Sequence, residues 1–186
     1  MSEALQLVDL ILISGLAALV IGAALSDWAR YVIPNQIPLA AVALFVVHAG
    51  VVLLRGGQPM SLVWAVACGA VVFAGGAFLF AQKVLGGGDV KLMAVCAMWA
   101  GPNHVAEFIL VTTLYGALLS AAFLLPAFRQ KAELSDAKFV GSVTAALRRR
   151  LPYGLAIATG AVVVCFRLLT EVRALIGPHR VVQVEC

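Results

Sequence analysis

The sequence predicts an all-α, polytopic membrane protein of about six transmembrane helices, and three observations carry that prediction. The chain of 186 residues is 63% hydrophobic and only 12% charged, whereas soluble domains are roughly half apolar and about a quarter charged. The apolar residues come in blocks of roughly twenty, the length that crosses a bilayer as a helix. The charges gather between the blocks. The expected organisation is one six-span membrane domain over residues 1–170, followed by an amphiphilic tail, 171–186.

The first apolar run covers about 7–26. Glu3 and Asp9 precede or open it and no Lys or Arg does, so a retained span is expected rather than a cleaved signal peptide, which needs a basic start. The second run, 37–54, follows DWARYVIPN. There Pro34 fixes its own φ and pushes Ile33 towards extended geometry, which stops a helix before it. Asn35 can satisfy freed backbone or cap the second helix. RGGQP at 55–59 reads as a tight turn into the third run, 60–82, whose Gly69, Ala70, Gly75 and Gly76 suit close helix packing.

The fourth run, 90–101, is short. It rises only about 16 Å at 1.5 Å per residue, against about 30 Å of hydrocarbon, so it is either a short span or a re-entrant element. GPN at 101–103 leads to the fifth run, 104–126, and the sixth covers 152–170. The positive-inside rule favours six crossings. On that topology Arg30, Lys83, Lys91, Arg129, Lys131, Lys138, Arg148, Arg149 and Arg150 share one side, while Arg55, Arg173 and Arg180 lie opposite. Both termini then face outward, and Asp27 and Asp89 come to one level at the cytoplasmic ends of their spans. Trp28 and Tyr31 fit the interfacial belt.

Composition also bounds the function. A net charge of +4 is accounted for by topology and lipid contact, with no aromatic and basic face to bind nucleic acid. Cys68, Cys96, Cys165 and Cys186 form no CxxC pair, and neither a disulfide framework nor a metal site is expected. His48, His104 and His179 are scattered and read as locally satisfied. Glu3, Asp9, Glu133, Asp136, Glu171 and Glu185 read as solvated acids of termini, loops and span ends, and Glu107 as reaching the headgroups. Asp27 and Asp89 stand apart, because each sits in unusual local chemistry at membrane depth, where ionisable groups are costly.

Asp89 follows Gly86, Gly87 and Gly88 in VLGGGDVKLM. These glycines let another backbone approach closely, and a helix beginning near Val90 would aim free N–H groups at the site. The plainer alternative makes Asp89 an N-cap, and for Asp27 it is a solvated carboxylate paired with Arg30. Lys91 reads as a snorkelling anchor, or else as a group that steers substrate or orients Asp89. Two carboxyl groups brought close cannot both ionise easily. One can then act as base on a water while the other, protonated, polarises a peptide carbonyl and later protonates the leaving amine.

At these residues the chain resembles the type IV prepilin peptidases, membrane aspartyl proteases of the GxGD kind. Gly86, Gly88 and Asp89 match the GxGD element, which extends through Lys91, and Asp27 with Ile33, Pro34 and Asn35 matches the family's first aspartate motif. The likeness is greatest to the short branch serving Flp-type pilins of the Tad pilus. It implies Asp27 and Asp89 as the catalytic pair, with no cofactor and no metal. It also implies prepilin or pseudopilin substrates, each with a short basic leader before an apolar helix. The resemblance places the protein in the bacterial inner membrane, cutting at the cytoplasmic face. Larger relatives carry a cytoplasmic region with paired cysteines linked to N-methylation. This chain lacks it, so the peptidase activity is implied and the methyltransferase activity is not. A non-catalytic pilus-assembly scaffold and a small proton- or ion-coupled transporter are the competing readings of the same residues.

Overall fold

The computed structural model describes residues 2–30, 32–129 and 153–176. All its regular elements are helices: α1 (Ser2–Arg30), α2 (Gln36–Leu54), α3 (Pro59–Ala81), α4 (Gly87–Arg129) and α5 (Tyr153–Ile176). Each contains a stretch long and apolar enough to cross a membrane, and no strand occurs among the described residues. The expectations for Tyr31, for the basic connection at 130–152 and for residues after 176 lie outside the described residues.

The punctuation falls where backbone chemistry demands it. α1 ends at Arg30, ahead of the non-helical Val32–Ile33–Pro34 segment, and α2 starts at Gln36. The RGGQP turn contains Gly56 at φ 76°, and α3 opens on Pro59, a position where the missing N–H costs nothing.

The short fourth run and the fifth are the two limbs of α4, which breaks at Gly101 (φ 59°, ψ −174°). The order of contacts shows that the chain doubles back there. The first limb runs antiparallel to α3: Gly76 packs on Val90, and Gly69 on Ala94 and Met98. The second limb runs antiparallel to α5, with Gly116 facing Ala156, Phe108 facing Gly160, and His104 bonded to Glu171. Six passes along the bundle therefore come from five helices. The first limb is a shortened pass, for its Trp99 donates to the carbonyl of Ala41 at 3.0 Å, in only the second turn of α2.

That limb is the centre of the molecule. Val90, Leu92, Ala94 to Ala97, Trp99 and Ala100 are all buried, around its whole circumference, as expected of a helix surrounded by others. Most of these residues share one apolar core with Ile13, Leu16 and Val20 of α1 and with Ile157 and Val164 of α5. α3 lies at the edge and buries only Ala65, Gly69 and Gly76. Because lipid is as apolar as these side chains, association rests on close packing and interhelical hydrogen bonds. Gly69 and Gly76 supply the close approach; Ala70 and Gly75, expected to do the same, are exposed, and nothing lies within 4 Å of a Cβ built at Gly75.

Polar groups pin the far end of the bundle. Asp9 is 2% exposed and accepts from His48 Nδ1 at 2.9 Å and from the Arg55 guanidinium. Burial between α1 and α2 overturns the reading of Asp9 as a solvated terminal acid. Glu107 pairs with Arg167 at 3.1 Å rather than reaching outward, and Glu171 with His104 at 3.0 Å. His48 and His104 are thus satisfied locally, as expected.

Candidate active site

Asp27 lies in the last turn of α1 and points inward because of the stripe that precedes it. Leu16, Val20, Ala23 and Ala24 are buried at helical spacing, and position 27 continues their face. Asp27 is 5% exposed. Its Oδ2 accepts the Gly154 N–H at 2.8 Å, a donor from the first turn of α5 that has no partner within its own helix. Asp27 makes no ion pair with Arg30 among the described residues, so the solvated alternative does not describe it. Glycine is required at 154: a Cβ there would stand 2.8 Å from Cβ of Asp27 and 2.7 Å from its Oδ2.

Asp89 is the third residue of α4, whose first turn starts at Gly87 rather than near Val90. Its Oδ2 accepts the Gly86 N–H at 3.2 Å. A carboxylate reaching back from the third helical position to the N–H just outside the helix is half of a capping box, so Asp89 closes the turn from within and is not the N-cap residue. Val90 N–H donates to the Gly86 carbonyl at 3.1 Å, completing the first turn. Asp89 is half-buried.

The two motifs are joined side by side. Ser26 Oγ donates to the Val32 carbonyl at 3.0 Å, turning the chain back after α1. Ile33 is buried, and its carbonyl oxygen lies 3.1 Å from where a Cβ of Gly88 would be; the glycine there permits backbone to approach backbone. Pro34 accepts from Ile37 N–H and Asn35 from Leu39 N–H as α2 begins. The Asn35 side chain does not cap α2. Its Oδ1 accepts from Lys91 Nζ at 2.9 Å, so Lys91 ties its limb to the IPN segment and is not a simple snorkelling anchor. Gly86, Gly88, Asp89 and Lys91 therefore meet Asp27, Ile33, Pro34 and Asn35 at one end of the bundle. The two carboxyl groups lie within electrostatic reach of one another.

A family model described as the type IV leader peptidase family matches residues 12–124, more than half of the chain. The chain belongs to the type IV leader peptidase family. It is accordingly a peptidase and a multi-pass membrane protein. Comparison with curated proteins and with solved structures finds no match. In this leader peptidase the matched segment includes both carboxylates and both motifs, while Gly154 falls beyond it. Sequence reasoning missed Gly154, whose partner is 127 positions away. The available signal was a glycine at the head of an apolar run, two residues after a proline, LPYGL. No group of three or more His, Cys, Asp or Glu among the described residues is arranged to hold a metal ion.

Proposed function

We propose that this protein is a prepilin leader peptidase of the inner membrane, cutting Flp-type prepilins at the cytoplasmic face with Asp27 and Asp89 as a general acid–base pair. One observation carries the reading: two acids 62 positions apart (89 − 27) come from different helices to one end of the bundle, each held by a single backbone N–H. Neither is neutralised by an ion pair to Lys or Arg among the described residues.

The chemistry follows from that arrangement. The ionised member takes a proton from a water as its oxygen attacks the scissile carbonyl carbon. The protonated member donates to the carbonyl oxygen, giving a tetrahedral diol. When the C–N bond breaks, the amine leaves with a proton from the pair and the carboxyl product forms. The proton count closes within the dyad, which titrates as one unit. In this reading the six-span domain covers 1–170, both termini face outward, and the basic leader of the substrate stays in the cytoplasm while its apolar helix lies in the bilayer. The position of both acids at helix ends, rather than at mid-span, favours a boundary peptidase over a transporter.

The test is cleavage of a purified Flp-type prepilin by the full chain in detergent, with chelator present. Asp27→Asn and Asp89→Asn should each lower kcat by about 10²–10⁴-fold, the usual worth of a positioned acid or base, while inserting and purifying like the parent. A scaffold would support pilus assembly equally well in both variants, and that result would retire the peptidase chemistry.

A further inference from the structure

A groove of about 290 Å³ lies between the end of α3, both limbs of α4 and the start of α5. Two of its lining residues adjoin in the chain the glycines that donate to the two acids, and a third lies close to Asp89. Leu85 precedes Gly86, Tyr153 precedes Gly154, and Met93 lies one turn beyond Asp89. On the second limb the lining runs from Thr112 to Ser120, a rise of about 12 Å at 1.5 Å per residue. The groove therefore extends from the level of the acids for two helical turns into the bundle.

Its chemistry is apolar. Thr113 and Ser120 donate their hydroxyls to carbonyls of their own helix at 2.8 Å, while Ala156 and Ile157 form the buried floor. The rim residues Leu79, Val84, Thr113 and Ala117 are exposed, so the groove is open along the side that faces lipid. A volume near 300 Å³ is at the lower end of ligand pockets. It suits a few side chains from one face of a helix and not a whole helix.

We infer that this groove seats the first two turns of the substrate's apolar helix, with side chains at i, i+3 or i+4 as anchors, and so sets the peptide bond just before the helix against Asp27 and Asp89. The inference rests on the prepilin reading. The choice of occupant follows from continuity with the acid pair and from direction. A helix that begins at the boundary and continues into the bilayer runs along the groove, with its N-terminal end at the carboxylates. Seating one face against apolar walls also leaves the peptide before it outside the helix, free to be extended for attack.

Two measurements on the full chain test this. Ala117→Trp fills the groove from its rim, and should raise KM for a helix-bearing prepilin at least tenfold with kcat within about threefold. Leu118→Trp, at a lipid-facing position outside the groove that is 67% exposed, should change neither. Ala117→p-benzoylphenylalanine, irradiated with the same prepilin in proteoliposomes, should crosslink to the first two turns of the substrate helix. An unchanged KM in Ala117→Trp, or crosslinks confined to lipid or to the chain's own 130–152 connection, would overturn the assignment. If the parent cleaves no prepilin yet the crosslink still lands on the substrate helix, the groove stands and the peptidase reading falls.

Discussion

A methyl group at position 154 would have nowhere to go. The Cβ would sit 2.7 Å from Oδ2 of Asp27 and 2.8 Å from its Cβ, contacts that no rotamer of a side chain this short can relieve. Gly154→Ala must therefore push the start of α5 away from α1, lengthening the 2.8 Å bond from Gly154 N–H and turning the carboxyl group. Misplacing a reacting group by about 1 Å costs on the order of 100-fold in rate. Prepilin cleavage by Gly154→Ala should fall by about that factor while the protein still inserts and keeps its helical circular dichroism. Gly75→Ala, at a glycine with nothing within 4 Å, is the control and should cleave as the parent does. Equal activity in the two would show that the Gly154 contact does not position Asp27.

The first limb of α4 carries Asp89, and its two ends are fixed by different means. Near the acid, Lys91 is bonded to Asn35. At the other end Trp99 is bonded to Ala41, stacked on His48 at 5.1 Å and set edge-on to Phe45 at 5.6 Å. Just beyond it Gly101 takes φ 59°, ψ −174°, at the border of a region that is essentially restricted to glycine and costs other residues about 1–3 kcal/mol. Gly101→Ala should lower stability by about that amount, seen as an earlier midpoint in detergent-denaturant titration. Nothing lies within 4 Å of its would-be Cβ, so backbone strain and not a clash would be the cause. The limb also shows what could be read from sequence. Its existence, its shortness and its GPN turn follow from hydropathy and from proline and glycine chemistry. The two aspartate motifs were legible because each breaks local apolar patterning. That helix resumes directly after Gly101 with no loop between the two runs was not, since Gly101 followed by Pro102 fits a loop equally well. Nor was the Lys91 to Asn35 bond, which joins positions 56 apart. Side-chain partnerships at such separations depend on tertiary packing, and no local periodicity encodes them.

The molecule keeps its polar groups at two opposite ends. One end holds the acid pair, with few fixed partners and a groove beside it. The other holds the cluster of Asp9, His48 and Arg55 and the set His104, Glu107, Arg167 and Glu171, where the charges are paired across helices. This division fits a chain that must leave one end able to admit a peptide while the other sets helix register. Asp9 is the extreme case, with a side chain 3% exposed against 24% for His48 and 23% for Arg55. Removing the carboxylate strands a guanidinium whose Nε and Nη2 are already buried without partners. Breaking a fully buried pair in this way costs about 3–5 kcal/mol; because Arg55 and His48 keep some exposure, about 2–3 kcal/mol is expected for Asp9→Ala. The loss should appear as a lower midpoint in detergent unfolding. It should not appear in kcat for prepilin, because Asp9 and Asp27 lie 18 residues apart along α1 (27 − 9), about 27 Å at 1.5 Å per residue. Asp9→Ala combined with Arg55→Leu should recover part of the stability, since it removes the stranded charge with its partner. A double variant no more stable than Asp9→Ala would mean that the cluster is held by His48 instead. A fall in kcat with stability unchanged would mean that the far end communicates with the acid pair through α1.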